Sequence, residues 1–373
     1  MGLTSKAVLA LAIGLAVVLF AATVCLWPRL ARRSVSAVFG RVGLLLATQV
    51  MLFASVGLLA NNSFQFYGSW ADFFGRQQEP GVVLDGATGA LASKNIVRVG
   101  MERPDVPGES RTTAVGRIDK VVVAGRRSGI ESSAYVYLPP EYFQSEYARR
   151  TFPAVVVLTG YPGTSENLLK GLQYPRTALD RVRTGRAQPM ILVMLRPTVA
   201  PPRDTECVNI RGGPQTETFF AKDLPQAVSD AYRIGKRARN WGIIGNSTGG
   251  YCALKIGLHH PDRFSASAGL SAYYRAAEDP TTGDLFHGSR QARERADLLW
   301  SLDHLPQPDS SFLVTTSRHG EGNYWGTRHF MAKVKAPARV SSIVLDSGGQ
   351  NFNTWRREIP SVLEWMSSRL SEN

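Results

Sequence analysis

The chain has 373 residues, 44% of them hydrophobic, which is enough for one large domain with a sizeable core and additional segments. Lys and Arg number 43 against 30 Asp and Glu, a net charge of +13 that calls for an anionic partner. No basic run of nucleic-acid type occurs, so nucleic-acid binding is excluded as the expected role and an anionic membrane surface is favoured.

Two segments near the N-terminus are built for lipid. Ala7–Trp27 (AVLALAIGLAVVLFAATVCLW) carries no charge across 21 residues, the length that crosses a hydrocarbon core of about 30 Å as a helix. Val42–Ala60 follows with 19 uncharged residues, Gln49 among them. The first is longer than the apolar stretch of a signal peptide and has no small-residue cleavage site, so both are expected to be retained. Between them stand Arg29, Arg32, Arg33 and Arg41, against only Lys6 before the first span. The positive-inside rule makes that short loop cytoplasmic and everything from residue 61 onward extracytoplasmic. The expected organisation is a two-helix anchor over 1–60 (spans 7–27 and 42–60), an extracytoplasmic linker over 61–112, and a domain over 113–373. Localisation at a bacterial plasma membrane, with the lipid bilayer as a partner, follows from that reading.

The linker mixes Gly, Asn, Ser and Pro with little periodicity. Beyond it, RIDKVVVAG and SSAYVYLPPEYF read as two strands across a turn containing Gly125 and Gly129. Short apolar runs then recur at 152–160, 189–197, 241–247, 311–317 and 340–349, each ended by Gly, Pro or polar residues. Runs that are apolar throughout suit strands covered on both faces. Helical stretches fall between them at 221–234, 248–260, 292–302 and 357–370. Alternation of this kind predicts a doubly wound, mostly parallel α/β sheet.

One motif carries chemistry. Gly245-Asn246-Ser247-Thr248-Gly249 satisfies G-x-S-x-G, and it lies between the apolar run WGII and the helical stretch TGGYCALKIGL. Strand, sharp turn and helix are the context of a nucleophile elbow, in which the glycines let the chain turn and Ser247 stands above the sheet. The oxyanion donors that such a site needs are the backbone N–H of Thr248 and one from the loop in VVVLTGYPGTSENLL. Tyr161 is the candidate there, because Pro162 has no N–H.

RRSGIESSAYVYLPPEYF, VVVLTGYPGTSENL, DTECVN, GGPQTETFFAKDLPQAV, WGIIGNSTGGYCALKIGLHHPDRFSASAGLSAYY and GGQNFNTWRREIPSVLEWM together resemble the "putative esterase" family of α/β-hydrolases. That group includes esterase D and the mycolyltransferases. Within it the chain is most similar to membrane-anchored, esterase-like proteins of bacterial envelopes. The resemblance covers about residues 117–370. It implies the α/β-hydrolase fold and ester hydrolysis or acyl transfer on ester, lipid or glycolipid substrates. It also implies a Ser, acid, His triad in that chain order and no metal or organic cofactor. The acid falls in RHGEGNYW, where Glu321 is the candidate and a solvated loop carboxylate is the alternative.

The histidine is expected in a Gly-Gly-His pattern, where this chain has Gly348-Gly349-Gln350. A carboxamide has no pKa near the working pH and does not carry a proton from serine to a leaving group. Loss of the base in a serine triad costs on the order of 10⁴–10⁶ in turnover. A non-catalytic member of the fold, binding an acyl or glycan ligand or a protein partner in the same cleft, is therefore the competing expectation. Of the six histidines, His319 shares the Glu321 loop and is the possible substitute base, with a solvent-facing imidazole as its alternative. His259 and His260 are expected at the surface. Cys207 and Cys252 form an even pair in a compartment that permits disulfides, and a bridge and two free thiols both remain open. Tyr273 and Tyr274 suit either an acyl pocket or the core, and Trp355 and Trp365 suit packing of the last helix.

Overall fold

The computed structural model describes residues 5–32, 34–64, 95–201 and 203–372. These fall into two compact units, Met1–Gln78 and Glu79–Asn373. The first unit is a helical hairpin of α1 (Lys6–Leu30) and α2 (Val35–Phe64). Ser5 starts α1 by accepting a hydrogen bond from the Ala7 N–H, and Pro28 lies near its C-terminal end. Ala12, Ala16 and Ala37 are buried where small side chains let the helices approach. The Thr23 and Thr48 hydroxyls meet there at 3.2 Å, and each also lies 2.8 Å from a carbonyl one turn back, at Leu19 and Leu44. Leu11, Val17, Val18, Phe20, Val50, Phe53 and Val56 face outward. An 18-residue window reaches a mean hydropathy of 2.8 within Ala7–Leu30 and 2.1 within Val35–Asn61, and both helices are long and apolar enough to cross a membrane.

The second unit is built on nine strands. They are β1 (Ile96–Glu102), β2 (Arg117–Ala124), β3 (Glu131–Leu138), β4 (Ala154–Leu158), β5 (Ile191–Leu195), β6 (Trp241–Asn246), β7 (Ala266–Leu270), β8 (Ser311–His319) and β9 (Arg339–Ser347). Their order in the sheet is β1-β2-β3-β5-β4-β6-β7-β8-β9. Pairing is antiparallel from β1 to β5 and parallel from β5 through β4 to β9. The expected α/β-hydrolase architecture is therefore present, with an antiparallel flank on the N-terminal side.

β4, β5, β6 and β7 are buried at every position. Successive residues point to opposite faces, so Val156 and Leu158 join Ile243, Leu254, Phe219 and Phe220 on one side. Val155 and Val157 join Leu192, Ile244, Ile359, Leu363 and Met366 on the other. The helices between and after the strands are α3 (Tyr174–Arg183), α4 (Leu224–Ala231), α5 (Thr248–His259), α6 (Arg290–Arg295), α7 (Leu298–His304), α8 (Tyr324–Lys333) and α9 (Phe352–Arg369). Leu254 lies on α5, Ile359, Leu363 and Met366 lie on α9, and Phe219 and Phe220 lie on the short helical turn just before α4.

Two expectations are corrected. The stretch 61–112 is not all linker, because β1 within it pairs with β2 in register from Ile96–Val123 to Glu102–Ile118. Its part over 65–94 lies outside the described residues. β1 escaped notice because it is an edge strand, half-exposed, with Arg98, Gly100 and Glu102 breaking the apolar pattern and a bulge between Arg98 and Gly100. The run at 340–349 was expected to be covered on both faces, yet β9 is the opposite edge and its residues are exposed or half-buried.

Cys207 and Cys252 are joined in a disulfide across 45 residues, which ties the segment after β5 to α5. Closing a loop of that length stabilises by about 4 kcal/mol on chain-entropy grounds. Thermal unfolding of the second unit is therefore expected to begin several degrees lower in reductant. An unchanged transition would mean that the bridge constrains nothing beyond what packing already fixes.

Candidate active site

The site begins with steric necessity at the end of β6. Ser247 adopts φ 53° and ψ −120°, a left-handed conformation of a non-glycine residue that costs of order 1–3 kcal/mol. Its N–H donates to the Leu270 carbonyl at 2.9 Å, and its own carbonyl accepts from the Tyr251 N–H at 3.0 Å, so the turn is pinned at both ends. A Cβ at Gly245 would lie 2.0 Å from the Gly249 carbonyl oxygen, and one at Gly249 would lie 2.3 Å from that of Thr159. Both glycines are demanded by close approach. Ser247 is half-buried, and α5 starts at the next residue with Thr248. The N-terminal N–H groups of that helix face the serine's side of the sheet.

The loop after β4 passes directly over the serine. A Cβ at Gly160 would sit 3.1 Å from Ser247 Cβ and 3.2 Å from Asn246 Nδ2. The loop is closed by Gly163 N–H to the Gly160 carbonyl at 2.8 Å and by the Thr159 hydroxyl to the Gly163 carbonyl at 3.1 Å. Tyr161, joined to Pro162 by a cis peptide, is therefore one residue from the contact with Ser247.

The strand ends beside Ser247 gather around a residue that the sequence did not single out. Ser271, buried and at φ 48°, directly follows Leu270, the residue that holds the Ser247 N–H. Its hydroxyl accepts from Trp355 Nε1 at 2.9 Å. Its carbonyl lies 3.4 Å from Gln350 Nε2. Its side chain also lies near enough to the Glu321 carboxyl to oppose the rise in that group's pKa. Gln350 and Glu321 thus both approach Ser271, and Ser247 is bonded through its backbone N–H to Leu270, the residue before it. Gln350 is exposed.

Glu321 is buried, with Oε1 accepting from the Ser317 hydroxyl at 3.0 Å. Burial raises its pKa, and the hydrogen bonds from Ser317 and Ser271 oppose the rise. A second carboxyl lies behind it. Glu358 accepts from the Thr315 hydroxyl at 2.9 Å, and burial pushes it up to about 8, with the neighbouring Glu321 adding to the rise. Nothing in the spacing of Glu358 within α9 marked it as part of this cluster.

His319 takes the solvent-facing reading, while two other histidines lie otherwise than expected. His319 is exposed on the β8–β9 edge, with Nδ1 2.9 Å from the Asp346 carbonyl. His259 is not at the surface. It is buried against Ser301, with Nε2 3.3 Å from the hydroxyl, and burial together with Lys255 lowers its pKa to about 3. His260 is largely buried as well, 2.8 Å from Glu217 Oε1. Nothing local signals this burial, because Glu217, their partner, is 43 residues from His260 along the chain. Tyr274 is buried and bonds Thr327 at 2.9 Å, while Tyr273 is half-buried. Trp365 packs as expected, with Nε1 3.2 Å from Ser341 Oγ.

Comparisons with known proteins agree with this architecture. Residues 127–366 match the family model described as "Putative esterase". An uncharacterized protein of Corynebacterium glutamicum is 25% identical over 308 residues, covering 75% of this chain and 70% of that protein. The MPT51 antigen of Mycobacterium leprae is 31% identical over 80 residues, covering 21% and 26% of the two chains. Among solved structures, an S-formylglutathione hydrolase from Agrobacterium tumefaciens superimposes with a TM-score of 0.56 at 17% identity. That match covers 71% of this chain and 99% of the hydrolase, and at such identity it is a likeness of fold.

The elbow geometry yields a direct test. Gly249→Ala places a methyl group against the Thr159 and Leu158 carbonyls, backbone that does not yield as a side chain would. Overpacking of this kind costs about 1–3 kcal/mol, and thermal unfolding is expected to shift down accordingly. Gly322→Ala, which meets nothing within 4 Å, is the control and should stay within about 0.5 kcal/mol of the unmodified protein.

Proposed function

Because the chain belongs to the "putative esterase" family, we propose that it presents a serine esterase or acyltransferase site with Ser247 as nucleophile and with its base position disarmed. The observation that carries this reading is the strained Ser247 backbone at the β6–α5 turn, roofed by Gly160. Strain at a single polar residue, at the mouth of a sheet and under a glycine loop, has a use in exposing a nucleophile.

In the proposed reaction Ser247 Oγ adds to an ester carbonyl, and the carbonyl oxygen gathers negative charge opposite the N–H groups of Thr248 and Tyr161. The C–O bond to the leaving alcohol then breaks, giving an acyl-serine and a free alcohol once the serine proton has been delivered. Water or a second alcohol takes the acyl group in the reverse sense, the first outcome being hydrolysis and the second acyl transfer. Both halves need a group that receives and returns one proton. Gln350 stands where that group belongs and can orient a hydroxyl but not carry its proton. Glu321 has the place of the acid that would orient an imidazole. The residual rate then rests on the oxyanion donors and on substrate binding.

The two apolar helices serve as the membrane anchor, with Arg29, Arg32, Arg33 and Arg41 holding the connecting loop on the cytoplasmic side. The esterase-like domain is then extracytoplasmic at a bacterial plasma membrane, where its ester, lipid or glycolipid ligands are components of the envelope. Gln350 favours a second reading, in which the cleft binds such a ligand or a protein partner without turning anything over.

Hydrolysis of a p-nitrophenyl ester by the detergent-solubilised full chain separates these readings. Gln350→His is expected to raise kcat/KM by about 10⁴-fold, with Ser247→Ala in that background removing the gain. Equal rates in the unmodified protein and Gln350→His would mean that another group serves as base. A folded Gln350→His protein with no hydrolysis would favour the binding reading.

A further inference from the structure

The segment after β5 carries a carboxyl that the reaction above does not use. Glu206 is 1% exposed and follows an Asx turn in which its N–H donates to Asp204 Oδ1 at 3.1 Å. Its Oε1 accepts from the Tyr273 hydroxyl at 2.6 Å, and its Oε2 is buried without a hydrogen-bond partner. The Thr248 side chain, next to Ser247, lies near enough to the Tyr273 phenol to oppose the rise in its pKa. The Tyr273 ring stacks on Tyr251 of α5, with centroids 5.2 Å apart and planes 15° from parallel. Carboxyl, phenol and hydroxyl thus form a chain that ends on the residue proposed to supply an oxyanion N–H.

That chain is held rigidly. Residue 207, adjacent to Glu206, is covalently bound to Cys252 of α5. Its carbonyl also accepts from Lys255 Nζ at 2.6 Å, and Lys255 pairs with Glu217. Both Glu206 and Cys207 adopt positive φ, 47° and 51°, a strained pair of residues that the bridge and the lysine keep in place. A buried acid with one oxygen unpaired is costly, and such groups persist where a function retains them.

We propose that Glu206 and Tyr273 are positioning residues of the Ser247 site: Glu206 fixes the Tyr273 hydroxyl, and Tyr273 fixes Thr248 so that its N–H faces the oxyanion. This rests on the reading of Ser247 as the nucleophile. The groups facing Glu206 are Asp204 on its own loop, Tyr273 and Asp279 beyond β7, and Tyr251 on α5, with Lys255 bound one residue on. Burial first and Asp204 second push Glu206 up to about 8, against the hydrogen bond from Tyr273. Glu206 is therefore neutral at neutral pH and gains a negative charge as pH rises through about 8. Charge behind the oxyanion donor disfavours the charge that develops in the transition state. Turnover dependent on this arrangement is accordingly lost on the alkaline side.

The test measures p-nitrophenyl ester turnover against pH in the full chain carrying Gln350→His, where a base is present. A bell is expected, rising as the introduced imidazole loses its proton and falling near pH 8. Adding Glu206→Gln, which keeps the shape but not the titration, should abolish the falling limb while hydrolysis continues. Adding Tyr273→Phe should lower kcat about tenfold with KM little changed, well short of the ~10²–10³ lost with a whole oxyanion donor. A falling limb unmoved by Glu206→Gln, together with unchanged kcat in Tyr273→Phe, would overturn the positioning role while leaving the nucleophile in place. Absence of any Ser247-dependent turnover in Gln350→His would instead remove the nucleophile reading, and this inference with it.

Discussion

The geometry of the second unit hangs on one contact, the approach of the β4 loop to the β6–α5 turn. There a Cβ at Gly249 would lie 2.3 and 2.6 Å from the Thr159 and Leu158 carbonyl oxygens, which excludes a side chain, and one at Gly160 would press on Ser247 Cβ at 3.1 Å. Ser247 is held in a left-handed conformation by this packing and by its hydrogen bonds to Leu270 and Tyr251. The serine's exposure, the direction of α5 and the position of Tyr161 all follow. Because β4 and β6 are buried on both faces, the sheet beneath supplies the rigidity that offsets the strain.

Around that turn the molecule concentrates buried carboxyls. Glu321 and Glu358 lie behind the strand ends on one side, and Glu206 with Asp204 lies on the other. Burial raises all four, with Asp204 reaching about 6. In a triad, one such acid would be kept ionised by the imidazole it orients. In the proposed site Gln350 takes the place of that imidazole and supplies no cation, and Glu321 is held by the Ser317 hydroxyl. Ser271 becomes the shared partner of Glu321, Trp355 and Gln350.

The parts of this arrangement that sequence made legible are those written in local chemistry. The fully buried strands announced themselves as unbroken apolar runs, and G-x-S-x-G between a strand and a helix announced the elbow. The two apolar helices were equally plain from length and lack of charge. What was not legible depends on partners distant along the chain. Edge strand β1 has no apolar run because half of it meets solvent. His259 reads as a surface helix end until Glu217 and Ser301 are brought to it by the fold. Ser271 and Glu206 have no motif at all, since their significance comes from Trp355 in one case and Tyr273 in the other. The Cys207–Cys252 bridge stood open as one of two possibilities and required the 5.6 Å Cα separation that tertiary structure provides.

The central claim is that the nucleophile site is built but lacks its base. Covalent capture by a fluorophosphonate tests it most directly, because labelling requires an activated serine and not merely an exposed one. Intact mass and peptide mapping of the detergent-solubilised chain would compare the unmodified protein with Gln350→His. The account predicts one phosphonyl adduct, on Ser247, forming readily in Gln350→His and scarcely at all in the unmodified protein. Rapid labelling of Ser247 in the unmodified protein, at the rate seen in Gln350→His, would contradict it.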